Sequence, residues 1–112
     1  MDCLFCSIIK GEIPSTKVFE NEFVYAFLDI APQAPFHAVI VPKEHIASAA
    51  EITAENSHLI AKVYEAVAEI AKRENLENGF RVVNNCGEDG GQTVGHIHFH
   101  LLARRNLAWP PG

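Results

Sequence analysis

The segment His96-Ile97-His98-Phe99-His100 narrows what this chain can fold into more than any other feature. Polar and apolar residues alternate with a period of two, the period of a strand with distinct faces. Read as a strand from His96 to Leu102, it puts three imidazoles on one face and Ile97, Phe99 and Leu101 on the other. Packing alone explains such a strand poorly. Each buried imidazole needs hydrogen-bond partners, and apolar residues would stabilise a sheet at less cost. Three of the chain's six histidines sit here, which points to function. The rings could hold a metal, or one could be a nucleophile tuned by the other two.

The loop before the strand favours the nucleophile. Asn85 to Gly95 holds Gly87, Gly90, Gly91 and Gly95. Glycines let backbone N–H groups approach an anion closely, and Gln92 and Thr93 add side-chain donors. A phosphate cradle beside an imidazole points to attack on phosphorus.

The rest of the chain frames this strand. Phe5 to Lys10 reads as a short helix stopped by Gly11. Lys17–Glu20 and Glu22–Leu28 read as strands around Asn21, a residue that tolerates the left-handed conformation of a tight hairpin. Asp29 to Pro35 is a loop with two prolines. His37 to Pro42 is a continuous apolar run, hence a central strand ended by proline. Thr53 to Arg73 is the one long helix, with Thr53 as N-cap. Leu59, Ile60, Val63, Val67, Ile70 and Ala71 form its apolar stripe. Phe80 to Asn84 is a further strand, and the tail Trp109-Pro110-Pro111-Gly112 is irregular. The expected class is α+β: a five-stranded antiparallel sheet with one long and one short helix. Residues 1–112 form a single domain in this reading.

Composition limits the partners. A net charge of −5 argues against a nucleic-acid polymer, whose binders carry basic patches, but leaves room for a mononucleotide. Met1 to Phe5 lacks the start of a signal peptide, and no apolar segment reaches the about 20 residues of a membrane span. A cytoplasmic protein with no membrane partner is expected. Cys3, Cys6 and Cys86 are too few and odd in number for a disulfide framework. Cys3-x-x-Cys6 could be a redox pair, two metal ligands, or two small buried residues.

Taken together, these motifs resemble the histidine triad superfamily. His96 to Leu102 fits its pattern of three histidines alternating with apolar residues. Asp2-Cys3-Leu4-Phe5-Cys6 through Gly11-Glu12-Ile13-Pro14 is similar to the start of its Hint branch. So are Phe27 to His37, Gly90-Gly91-Gln92-Thr93 and the closing Trp-Pro-Pro-Gly. The resemblance covers essentially the whole chain.

The resemblance implies a homodimer with sheets joined across the interface. It also implies hydrolysis of purine nucleoside phosphoramidates. His98 would attack the α-phosphorus, and His100 would sit against the phosphate oxygens, with His96 completing the triad. Thr93, where relatives often carry serine, would contact the leaving-group side. Gln92, Asn85 and the Val94 N–H would face the phosphate. Asp29 would bind the ribose hydroxyls. Phe5, Ile8, Phe27, Ile30, His37 and Val39 would line the base pocket, and Trp109 would reach the partner's site. Cys3, Cys6, His45 and His96 would hold a structural zinc. Arg104 and Arg105, near positions where relatives carry glycines, would favour an acidic leaving group. The alternatives are a dinucleoside polyphosphate hydrolase and a nucleotide-binding regulatory module with vestigial turnover.

Overall fold

A computed structural model describes residues 3–112. Met1 and Asp2, which open the Asp2–Cys6 motif, lie outside the described residues. One antiparallel sheet organises the chain, with β1 (Lys17–Glu20), β2 (Val24–Leu28), β3 (Phe36–Pro42), β4 (Phe80–Asn84) and β5 (Phe99–Ala103) in the order β1-β2-β3-β5-β4. The apolar run of β3 is buried along its whole length, as a central strand covered on both faces must be.

The two faces carry different loads. On one, Ala26, Ala38, Ile40, Phe99 and Leu101 pack against Leu59, Val63, Val67 and Ile70 of α2 (His58–Arg73). On the other, Tyr25, Phe27, Val39 and Val41 meet Phe5 and Ile8 of the short helix α1 (Leu4–Ile9). Alternation along β5 therefore sends Phe99 and Leu101 to the long helix and His100 to the α1 side.

Four local expectations are corrected. Asn21 is not left-handed: its Oδ1 accepts from the N–H groups of Phe23 and Val24 at 2.8 and 3.0 Å, so the side chain closes the turn. The long helix begins at His58, not Thr53. Thr53 instead opens a preceding turn, its hydroxyl accepting from Glu55 N and its own N–H donating to Asn56 Oδ1. The glycine loop contains a helical turn, α3 (Gly87–Gly90), ended by Gly91 at φ 78°, where the absence of Cβ is needed. Finally, β5 begins at Phe99, not His96. The stretch before it is pinned from outside the ladder, by Ile97 N–H on the Ile46 carbonyl at 2.7 Å and Asn84 Nδ2 on the His98 carbonyl at 2.9 Å. Among the described residues, no helix is long and apolar enough to cross a membrane.

Candidate active site

The α1 side of the sheet carries a cleft of about 260 Å³, near the small end of ligand pockets. Phe5, Ile8, Phe27, Ile30 and Val39 form its apolar wall, and Asp29, Thr93, His98 and His100 supply its polar groups. Leu4, Ile13, Pro14, Ser15 and Leu28 complete the lining. None of these five was singled out as a site residue from sequence, and their place in the fold brings them here.

Hydrogen-bond polarity fixes which ring nitrogen of each histidine is available. A carbonyl oxygen can only accept. His98 Nδ1 lies 2.8 Å from the His96 carbonyl, so Nδ1 carries the proton and Nε2 keeps its lone pair. The ring is buried and is held by Phe5, packed edge-on at 5.0 Å and 83°. A neutral imidazole with its free lone pair at a cleft is a competent nucleophile. His100 stands 5.2 Å away, centroid to centroid. Its Nδ1 faces His37 Nε2 at 2.8 Å. Asp29 Oδ2 lies 3.5 Å from His37 Nε2, while Oδ1 accepts from Ala31 N–H at 2.8 Å.

Burial pushes His37 and His100 below the ordinary 6.5, with Asp29 opposing the shift in both. Neighbouring His98 and His37 lower His100 further. A histidine with a lowered folded pKa binds fewer protons folded than unfolded, so stability is lost as pH falls below about 6.5. The urea midpoint is expected to drop between about pH 7.5 and about pH 5, and less in a His37→Gln variant. An unchanged midpoint would contradict these buried neutral rings.

His96 does not line the cleft. It is fully buried beside Cys3, Cys6 and His45. Its Nε2–H donates to the Pro42 carbonyl at 2.9 Å, so Nδ1 has the free lone pair. That Nδ1 lies 3.4 Å from Cys3 Sγ, 3.6 Å from Cys6 Sγ and 3.2 Å from His45 Nδ1, and Cys6 Sγ lies 3.4 Å from His45 Nδ1. A tetrahedron built on Zn–S and Zn–N bonds has S–N edges of about 3.6 Å and an N–N edge of about 3.3 Å. These four spacings come close to those edges, so the cluster has the donor set and spacing of a tetrahedral metal site, with a backbone carbonyl orienting the histidine behind it. Burial and the adjacent Cys3 push the Cys6 thiol up, a conflict that a cation would relieve.

The remaining expected site residues fall elsewhere. His37 lies beneath His100 and does not line the base wall. Gln92 shapes the loop: its Nε2 donates to the Ala47 and Val94 carbonyls and its Oε1 accepts from Gly87 N–H. Val94 packs its side chain on the α1-side core, and its N–H takes no part in the loop's backbone hydrogen bonds. Asn85 lies against Gly90, outside the cleft lining. Trp109 is 81% exposed and does not line its own chain's cleft. Arg104 is tied to Glu74 and stacked over Phe36, and Arg105 donates to the Gln33 carbonyl. Neither guanidinium lines the cleft, so the expectation that they select an acidic leaving group is not supported by their placement. Asn84, Pro42 and Gln33 act through polar groups that sequence reading did not single out.

The model of the HIT domain matches residues 10–107. The chain belongs to the HIT domain family. Its fold is shared with a HIT family hydrolase from Legionella pneumophila, with a TM-score of 0.96 and 48% identity, covering 99% of this chain and 100% of that one. The 14 kDa zinc-binding protein of Zea mays is 48% identical over 97% of this chain and 87% of its own length. Adenylylsulfatase HINT1 of Arabidopsis thaliana is 43% identical over 97% of this chain and 76% of its own length. Within this HIT chain the triad divides its labour: His96 faces the Cys/His cluster, while His98 and His100 face the cleft.

Proposed function

We propose that this protein hydrolyses purine nucleoside phosphoramidates, releasing the nucleoside monophosphate through a covalent intermediate on His98. The observation that carries this reading is the polarity of the two rings at the cleft. His98 offers a lone pair where a phosphorus atom would sit, and His100 stands beside it to meet a phosphate oxygen. The apolar wall suits a purine, and Asp29 Oδ2 at its rim suits a ribose diol.

The chemistry follows in two displacements. His98 Nε2 attacks the α-phosphorus, the P–N bond breaks, and the amine leaves with its electron pair and takes up a proton. The positive character that develops on the His98 ring is shared with the His96 carbonyl through Nδ1–H. Water then attacks the nucleotidyl-histidine and frees both the monophosphate and His98. Thr93 at the cleft mouth and the Val94 N–H supply donors as charge develops on the phosphate.

The Cys3, Cys6, His45 and His96 cluster fits a structural zinc. The metal would contribute folding energy, and these residues would hold α1, and with it Phe5, against the sheet. A homodimer is part of this reading. The outer edge of β4 is unpaired among the described residues, and beside it lies an apolar hollow that includes Ile52, Ile60, Tyr64 and Phe99.

The Arabidopsis relative is named an adenylylsulfatase, which makes the sulfate of adenylyl sulfate a second candidate leaving group. Both substrates present the same adenylate half. The test is AMP release from adenosine 5'-phosphoramidate, adenylyl sulfate and a diadenosine polyphosphate under identical conditions. The phosphoramidate should give the highest kcat/KM. A preference for either other substrate would overturn the assignment of the leaving group, and turnover of none would overturn the enzymatic reading.

A further inference from the structure

Asp29, His37 and His100 form a second cluster whose donor atoms all lie close enough together to suggest a metal. Hydrogen-bond polarity decides against one. The backbone N–H of Gln33 donates to His37 Nδ1 at 3.0 Å. An amide N–H cannot accept, so His37 Nδ1 must hold its lone pair, and the proton of the neutral ring is on Nε2. A protonated Nε2 cannot ligate a cation. This is the reverse of His96, whose outer nitrogen donates to a carbonyl and whose inner one is free.

The same reasoning continues one ring further. His37 Nε2–H points at His100 Nδ1, 2.8 Å away, so that nitrogen accepts. The proton of neutral His100 is then on Nε2. Register supports the pairing: His37 lies opposite Leu102 and His100 opposite Val39, so the two rings are diagonal neighbours on one face. Gln33 is itself held from across the fold, by Arg105 Nε on its carbonyl at 2.9 Å. His37 is buried and His100 half-buried, and burial disfavours the charged form of both rings, which keeps the chain of donors in this order.

We infer that His37 is a positioning residue, oriented by the Gln33 N–H, that fixes His100 as a permanent Nε2–H donor toward the substrate's phosphate. The chain ends on an amide that does not give up its proton, so it delivers no proton to His100. His100 therefore acts as a hydrogen-bond donor and not as a general base. The functional meaning of this donor rests on the proposed attack of His98 on phosphorus, but the tautomers themselves do not.

Nitrogen-15 NMR of the full chain reads the tautomers directly, without substrate. His37 and His100 are expected as Nε2–H and His98 as Nδ1–H. An Nδ1–H signal from His100 in the parent protein would overturn the inference, whatever the substrate proves to be. Two variants extend the test. His37→Gln can accept from Gln33 and donate to His100, and should keep the His100 tautomer and most of kcat. His37→Leu can do neither, and should lose the single tautomer and about 10-fold or more in kcat, with a smaller change in KM. Equal kcat for the two variants would also overturn it.

Discussion

Replacing His98 with alanine is expected to lower turnover of an adenosine phosphoramidate by about 10⁴-fold or more. Nucleotide affinity should change by only a few-fold. The size follows from the role: without a nucleophile, the route through a covalent intermediate closes, and water must attack unassisted. Affinity survives because the apolar wall of Phe5, Phe27, Ile30 and Val39 and the carboxylate of Asp29 belong to other elements. His98→Asn would preserve some bulk yet remain inactive, since an amide nitrogen has no comparable lone pair. A His98→Ala protein retaining more than about a tenth of parental kcat would require a different nucleophile.

The second large effect concerns the Cys/His cluster. Protein purified without chelator is expected to carry one zinc per chain, and its removal to lower Tm by about 10–20 °C. A metal at 100-fold above its Kd stabilises the folded state by about 2.7 kcal/mol. At about 4–8 °C per kcal/mol for a domain of this size, that gives the stated range. The donors link three separate pieces of chain: Cys3 and Cys6 at α1, His45 after β3, and His96 before β5. Losing the metal should therefore free α1 first, and with it the Phe5 ring that packs on His98. Stoichiometric zinc should return Tm to its starting value. A metal-free protein whose Tm does not respond to added zinc would contradict a structural metal. Two zinc ions per chain would contradict the polarity argument that excludes Asp29, His37 and His100.

Period-two alternation made the sidedness of the triad legible in the sequence, and the apolar run of β3 announced its own central place. The Cys-x-x-Cys pair and two distant histidines named four residues that the fold gathers into one cluster, although only the fold could set the spacing between them. What sequence could not convey was backbone chemistry. The Pro42 carbonyl, the His96 carbonyl and the Gln33 N–H decide which nitrogen of each histidine is free, and every residue carries such groups. Gln92 was misjudged for the same reason: its amide resembles a phosphate donor until three backbone partners are found to occupy it. Arg104 and Arg105 lie close to the triad along the chain, but past the end of β5 their guanidiniums turn to Glu74 and to Gln33.

The most direct test of the central claim is intact-mass spectrometry of the protein quenched milliseconds to seconds after mixing with an adenosine phosphoramidate. A transient gain of one adenylyl group is expected on the parent protein, mapping to His98 after digestion and absent from His98→Ala. AMP release with no adduct at any time, or an adduct that survives loss of His98, would contradict nucleophilic attack by this residue.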